Sequence, residues 1–190
     1  MEGRKVIHNV TRTAQVFFIK TIYSMLVSFF CLLTNQPFPF IPIQITLVDA
    51  CIEAYPSFLT IFESDIRRIR GKFLPTALSH AAPFGIAVTV MIIITSLFAP
   101  FSAVQCRTVM YLLLILISMA AVVKSCFPWS ILRVFICVPM AGGTFLALAL
   151  LPSLFEIVPM TSAMMIWIVS GAVMAAAVIV ILEYVRKKAA

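Results

Sequence analysis

Six stretches of the chain are apolar over lengths that cross a lipid bilayer, and this feature limits the possible folds more than any other. They lie near residues 14–34, 40–62, 76–98, 104–124, 129–151 and 162–184. A bilayer core of about 30 Å takes roughly 20 helical residues to cross. Because the stretches lack the alternation of lipid-facing strands, each must be a helix that satisfies its own backbone. The sequence predicts an all-α integral membrane protein, a six-transmembrane-helix bundle.

The charged residues predict the orientation of this bundle. Only 11% of the 190 residues are charged, 63% are hydrophobic, and the net charge is +7. Basic residues precede the first span, follow the second, separate the fourth from the fifth and end the chain, whereas the opposite loops contain only Arg107. The positive-inside rule then places both termini in the cytoplasm. We expect a multi-pass protein of the cell (plasma or inner) membrane, with the lipid bilayer as partner and no nucleic acid.

The spans and loops predict five regions along the chain. A cytoplasmic stalk helix is continuous with the first span, a helical hairpin of spans one and two carries the polar residues, and a basic cytoplasmic loop follows. Four supporting spans and a basic cytoplasmic tail complete the chain. The regions are 1–13, 14–62, 63–75, 76–184 and 185–190.

Two acids interrupt the second span, in the stretch "LVDACIEAYP". An acid at the centre of a spanning helix costs about 2.5–3.5 kcal/mol on insertion scales. Asp49 and Glu53 are four residues apart, so their carboxylates share one helix face and repel each other. A bound cation, a captured proton or a basic partner would relieve this repulsion.

Oxygen donors nearby favour a cation. Pro56 has no amide hydrogen and therefore frees the backbone carbonyl of Ile52, which lies between the two acids. Thr21 and Ser24 on the first span lie three residues apart, which places two hydroxyls on one face at a similar depth. Carboxylates, carbonyls and hydroxyls suit a hard divalent ion such as Ca²⁺ or Mn²⁺, or else Mg²⁺.

Lys20 offers a different partner for the acids. It adjoins Thr21, so its ammonium is a possible counter-charge that pairs with Asp49 or Glu53 in place of an ion. Acids kept protonated as hydrogen-bond donors between helices are another alternative.

Several motifs resemble the last six helices of bacterial cation-transporting P-type ATPases, most of all the calcium- and manganese-exporting branch. They are "GRKVIHN" before the first span, "PIQITLV" with a proline after two acids in the second, and the basic "RIRGKFLP". The resemblance implies that polar residues of the first two spans bind the transported ion, at Thr21, Ser24, Asp49 and Glu53. It implies ATP-driven export of a divalent cation, Ca²⁺ or Mn²⁺.

The family's catalytic motifs do not occur in this sequence. No "DKTGT", "TGD" or "GDGxND" segment is found, and no "PE-x-LP" helix. The resemblance therefore implies no catalytic or cofactor-binding residue in this chain, with ATP used only through domains that it lacks. We expect a C-terminal fragment or one half of a split pump, whose partner holds the first four helices and the cytoplasmic domains. The alternative is a non-catalytic membrane scaffold or partner subunit whose buried acids only fix helix packing.

Overall fold

All regular secondary structure in the described part of the chain is helical. The computed structural model describes residues 2–60 and 73–189, with side chains over 14–60 and 74–188. Its elements are α1 (Glu2–Thr34), α2 (Pro42–Val48), a π-helix (Asp49–Ala54), α3 (Tyr55–Leu59), α4 (Phe73–Phe98), α5 (Ala103–Ser125), α6 (Ile131–Leu150) and α7 (Ser162–Ala189). The prediction of an all-α membrane protein is confirmed.

Five helices in the described ranges are long and apolar enough to cross a membrane. They are Ala14–Thr34, Leu74–Phe98, Ala103–Ser125, Ile131–Leu150 and Ser162–Lys188. The remaining predicted span, 40–62, forms a rod in which α2, the π-helix and α3 follow one another without a gap. The bundle therefore has six helices, one of them interrupted. Most of the predicted basic loop lies outside the described residues, and the side of the membrane that holds the termini stays a prediction.

α4 and α5 form the centre of the bundle. Within their spans 56% and 67% of the residues are buried, against 22% for the spans of α1 and α7. α1 packs closely on α4 at Gly85, where an added Cβ would lie 2.7 Å from Cγ2 of Ile22. The more exposed helices pack around the buried apolar side chains of α4 and α5.

Two prolines lie inside regular helices, and a side chain serves the carbonyl that each one frees. Pro83 in α4 removes the amide that would serve the Ser79 carbonyl, which instead accepts a hydrogen bond from Nη1 of Arg186 at 3.2 Å. Pro139 in α6 frees the Phe135 carbonyl in the same way, and the hydroxyl of Tyr55 donates to it at 3.1 Å. Both helices remain α-helical through the proline because the lost bond is replaced.

A buried amide fixes the start of the interrupted rod. The side chain of Gln44 donates from Nε2 to the Phe155 carbonyl at 2.8 Å and accepts from the Ile41 amide at 3.3 Å. The hydroxyl of Tyr111 on α5 donates to the backbone carbonyl of Gln44 at 2.9 Å. These bonds attach α2 to the central helix and to the loop before α7, which sets the position of the acids one turn further on.

Candidate cation site

The acids Asp49 and Glu53 both lie in the π-helix of the rod. Its wider register is seen where the amide of Tyr55 donates to the carbonyl of Ala50, five residues back. Single π-helical turns within α-helices are rare and occur often at functional sites. This turn is in contact with α1, α5 and α6, so it lies inside the bundle.

Pro56 follows the π-helix and removes an amide that the rod needs. In the five-residue register of Tyr55 the missing amide would have served Cys51, whereas in a four-residue register it would have served Ile52. The sequence prediction named Ile52 because it assumed the regular register. In either register, the carbonyl that loses its donor lies between the two acids along the chain. Among the described residues, no side chain donates to the carbonyl of Cys51 or Ile52.

The two acids have different surroundings. Both carboxylate oxygens of Asp49 lie 2.6 Å from Nζ of Lys20 on α1, which is a two-contact ion pair. The pair is half-buried, with 32% of the lysine side chain and 39% of the aspartate side chain exposed. The structure thus brings the predicted counter-charge Lys20 to Asp49, so this carboxylate is neutralised within the chain.

Glu53 is the buried acid. Its residue is 3% exposed, and in the described part of the chain its Oε2 atom has no hydrogen-bond partner. Leaving a charged oxygen unpaired in a water-free environment is strongly unfavourable, so a cation, a proton or a donor from elsewhere must satisfy it. The Oε2 atom of Glu53 is therefore the candidate ligand-binding atom of the site.

The sequence analysis did not single out Tyr23, which lies on the buried side of α1. It is 1% exposed, and by hydrogen-bond geometry its hydroxyl has no partner among the described residues. The buried positions Val16, Ile19, Tyr23 and Val27 recur at helical spacing, and that stripe was the available signal.

The two predicted hydroxyl ligands, Thr21 and Ser24, differ in exposure, and their role as ligands stays a prediction. Thr21 is exposed, and its hydroxyl donates to the Phe17 carbonyl of its own helix at 3.3 Å. Ser24 is half-buried. The described residues hold no group of three or more His, Cys, Asp or Glu side chains placed for a metal ion. Since Ca²⁺ takes 6–8 oxygens, the described donors make at most part of a shell.

Comparison with known proteins identifies relatives, although no family model matches the chain. The probable cation-transporting ATPase exp7 of Streptococcus pneumoniae is 33% identical over 172 residues, which is 85% of this chain and 22% of that protein. The calcium-transporting ATPases CtpE of Mycobacterium bovis and Mycobacterium tuberculosis are each 33% identical over 108 residues, which is 52% of this chain and 14% of the relative.

The chain is therefore a homologue of bacterial cation-transporting ATPases, and the resemblance drawn from its motifs is confirmed. Its helical bundle is consistent with the membrane region of a P-type ATPase, and the protein is a multi-pass membrane protein. The chain spans 22% of the length of the Streptococcus pneumoniae relative. The rest of such a pump is not contained in this chain.

Proposed function

We propose that this chain is the transport-domain portion of a P-type cation pump and that Glu53 is its principal ligand for a divalent cation. The single observation that carries the proposal is the buried Oε2 of Glu53, without a described partner, on a π-helix followed by Pro56. A carboxylate close in sequence to a carbonyl that loses its amide donor to Pro56 offers the oxygens that a hard cation prefers. Two of the relatives are named calcium-transporting, which favours Ca²⁺, with Mn²⁺ as the alternative and Mg²⁺ third.

Lys20 sets the charge of the proposed site. Asp49, Glu53 and Lys20 together carry one net negative charge when all are ionised, because the ion pair cancels one acid. A divalent ion at Glu53 would then repel the ammonium of Lys20, and movement of Lys20 would release Asp49 as a second ligand. Binding of the ion and rearrangement of the ion pair are thus coupled in this proposal.

The other ligands would come from the rest of the pump. Only 22% of the residues in the most apolar 18-residue stretch of the α1 span are buried. The exposed residues of α1 include Thr21, Met25 and Phe29. We propose that the first four helices of the complete pump cover this side and turn Thr21 and Ser24 into auxiliary ligands. ATP hydrolysis in its cytoplasmic domains would drive export across the plasma membrane.

Metal-dependent thermal unfolding of the purified chain in nanodiscs tests the proposal. Ca²⁺ or Mn²⁺ should raise the unfolding midpoint of the wild type and not that of Glu53→Gln. Asp49→Asn should keep a reduced response, because Lys20 already neutralises this acid. Glu156→Gln is the matched control, since Glu156 is an exposed acid that is paired with Arg107 and lies outside the π-helix. An equal response in wild type and Glu53→Gln contradicts the proposal.

The ion pair itself favours a second candidate, a scaffold subunit in which the acids only fix packing. Two 2.6 Å contacts between Lys20 and Asp49 join α1 to the rod without any ion. In that case neither metal changes the unfolding midpoint, and Glu53→Gln stabilises the chain because a buried charge is removed. The same titration thus separates the two functions.

A further inference from the structure

A cavity with both charged and apolar lining side chains lies at one end of the bundle, and neither Asp49 nor Glu53 lines it. It has a volume of about 310 Å³ and opens where the spans of α1 and α4 begin and those of α5 and α7 end. Its apolar lining includes Val16, Ile19 and Phe84, which are all buried. The sequence predicts that this end faces the cytoplasm.

The rim of the cavity is positively charged. Lys124, Arg186 and Lys187 line it together with one carboxylate, Glu183, which gives three positive charges against one negative. Glu183 forms an ion pair with Lys124. Two positive charges, on Arg186 and Lys187, therefore have no carboxylate partner within the described lining.

The contacts of Arg186 leave its charge uncompensated. Nη1 donates to the Ser79 carbonyl at 3.2 Å and lies 2.9 Å from Nδ1 of His80. Because a guanidinium can only donate, this nitrogen of His80 must accept, so the imidazole is the neutral tautomer with its proton on Nε2. Both contacts fix the guanidinium at the rim, and neither brings a negative charge to it.

We propose that this cavity binds the phosphate of an anionic lipid headgroup. Arg186 and Lys187 supply charge-assisted donors to the phosphate oxygens, and the apolar lining accepts the start of the acyl chains. Basic pockets between spanning helices on the cytoplasmic side are sites for anionic headgroups, since the anionic lipids of that leaflet are drawn to them. The combination of an apolar interior with a cationic rim distinguishes this site from a surface that merely attracts anions.

The test compares the whole chain in nanodiscs of phosphatidylcholine with the chain in nanodiscs that also contain phosphatidylglycerol. Phosphatidylglycerol should raise the unfolding midpoint of the wild type. Lys187→Gln should weaken headgroup binding about fivefold, and Arg186→Gln with Lys187→Gln should abolish the response. Lys188→Gln is the matched control, because it removes the same charge from the same helix turn but does not line the cavity.

Two further arms decide the source of the phosphate and the role of folding. Inorganic phosphate added in detergent, against chloride at equal ionic strength, tests a free anion. Stabilisation by phosphate alone, with the same dependence on Lys187, would assign the cavity to free phosphate and overturn the lipid source. Arg186→Lys keeps the charge and should keep the response even if Arg186→Gln folds poorly. No response to either probe, or an equal loss in Lys188→Gln, overturns the proposal.

Discussion

Three proline-containing helices of this bundle differ in how they treat the carbonyl that the proline frees. In α4 and α6 a side chain from another element donates to it, Arg186 to Ser79 and Tyr55 to Phe135. In the rod, Pro56 follows a π-helix, and no described side chain donates to the carbonyl of Cys51 or Ile52. α4 and α6 stay regular, whereas the rod changes register and carries two acids.

The freed carbonyls at Pro83 and Pro139 have replacement donors, whereas the carbonyl freed by Pro56 has no described side-chain donor. A carbonyl that a proline frees in a spanning helix is satisfied again by a neighbouring side chain, an ordered water or a local change of register. Where the bundle supplies a donor, the helix remains regular and can pack. In the rod the side-chain cation, Lys20, pairs with a carboxylate, so no described side chain replaces the amide that Pro56 removes.

Lys20→Met should produce the largest change. Asp49 would lose its partner in the membrane, at a cost of about 2–3 kcal/mol in unfolding free energy. Chemical denaturation in nanodiscs measures this loss, and the double variant Lys20→Met with Asp49→Asn should recover most of it. Arg107→Gln, which breaks the exposed pair with Glu156, is the matched control and should cost less than about 1 kcal/mol. A small effect for Lys20→Met would mean that the rod does not depend on its ion pair.

Pro56→Ala tests the comparison most directly. The new amide gives the rod the donor that it lacks, so we expect stabilisation by about 1–2 kcal/mol and a weaker metal response. Pro83→Ala is the control, because the Ser79 carbonyl already accepts from Arg186 and its variant should leave the metal response unchanged. An unchanged metal response in Pro56→Ala would show that the freed carbonyl takes no part in binding.

Much of this arrangement was predictable from the sequence, and the missing parts have physical reasons. Span lengths follow from hydropathy alone, and the position of Lys20 near the acids follows from helical rise and antiparallel packing. The π-register does not, because hydropathy and residue spacing carry no information on which carbonyl the amide of Tyr55 reaches. Nor does sequence spacing show that Lys20 selects Asp49 while Glu53 is buried, since that choice depends on tertiary packing.

Tyr55→Phe should have a smaller effect than the changes in the rod. It removes the donor to the Phe135 carbonyl and should cost about 1 kcal/mol, in line with single interhelical hydrogen bonds in membranes. Adding Pro139→Ala restores a backbone amide for that carbonyl and should cancel the loss. A double-mutant cycle on unfolding free energies measures the coupling. Additive effects of the two substitutions would contradict the compensation inferred for α6.

Thr21→Val should have the smallest effect on the isolated chain. Thr21 is exposed and its hydroxyl donates to its own helix, so the unfolding free energy should change by less than about 0.5 kcal/mol. If other helices cover this side of α1 in a complete pump, as proposed above, the same substitution should weaken metal binding there, because those helices would bring further ligands to the hydroxyl. Ser24→Ala, at a half-buried position, provides the parallel test. A full metal response of both variants in the complete pump would limit the ligands of this chain to the interrupted rod, where Pro56 removes one backbone amide.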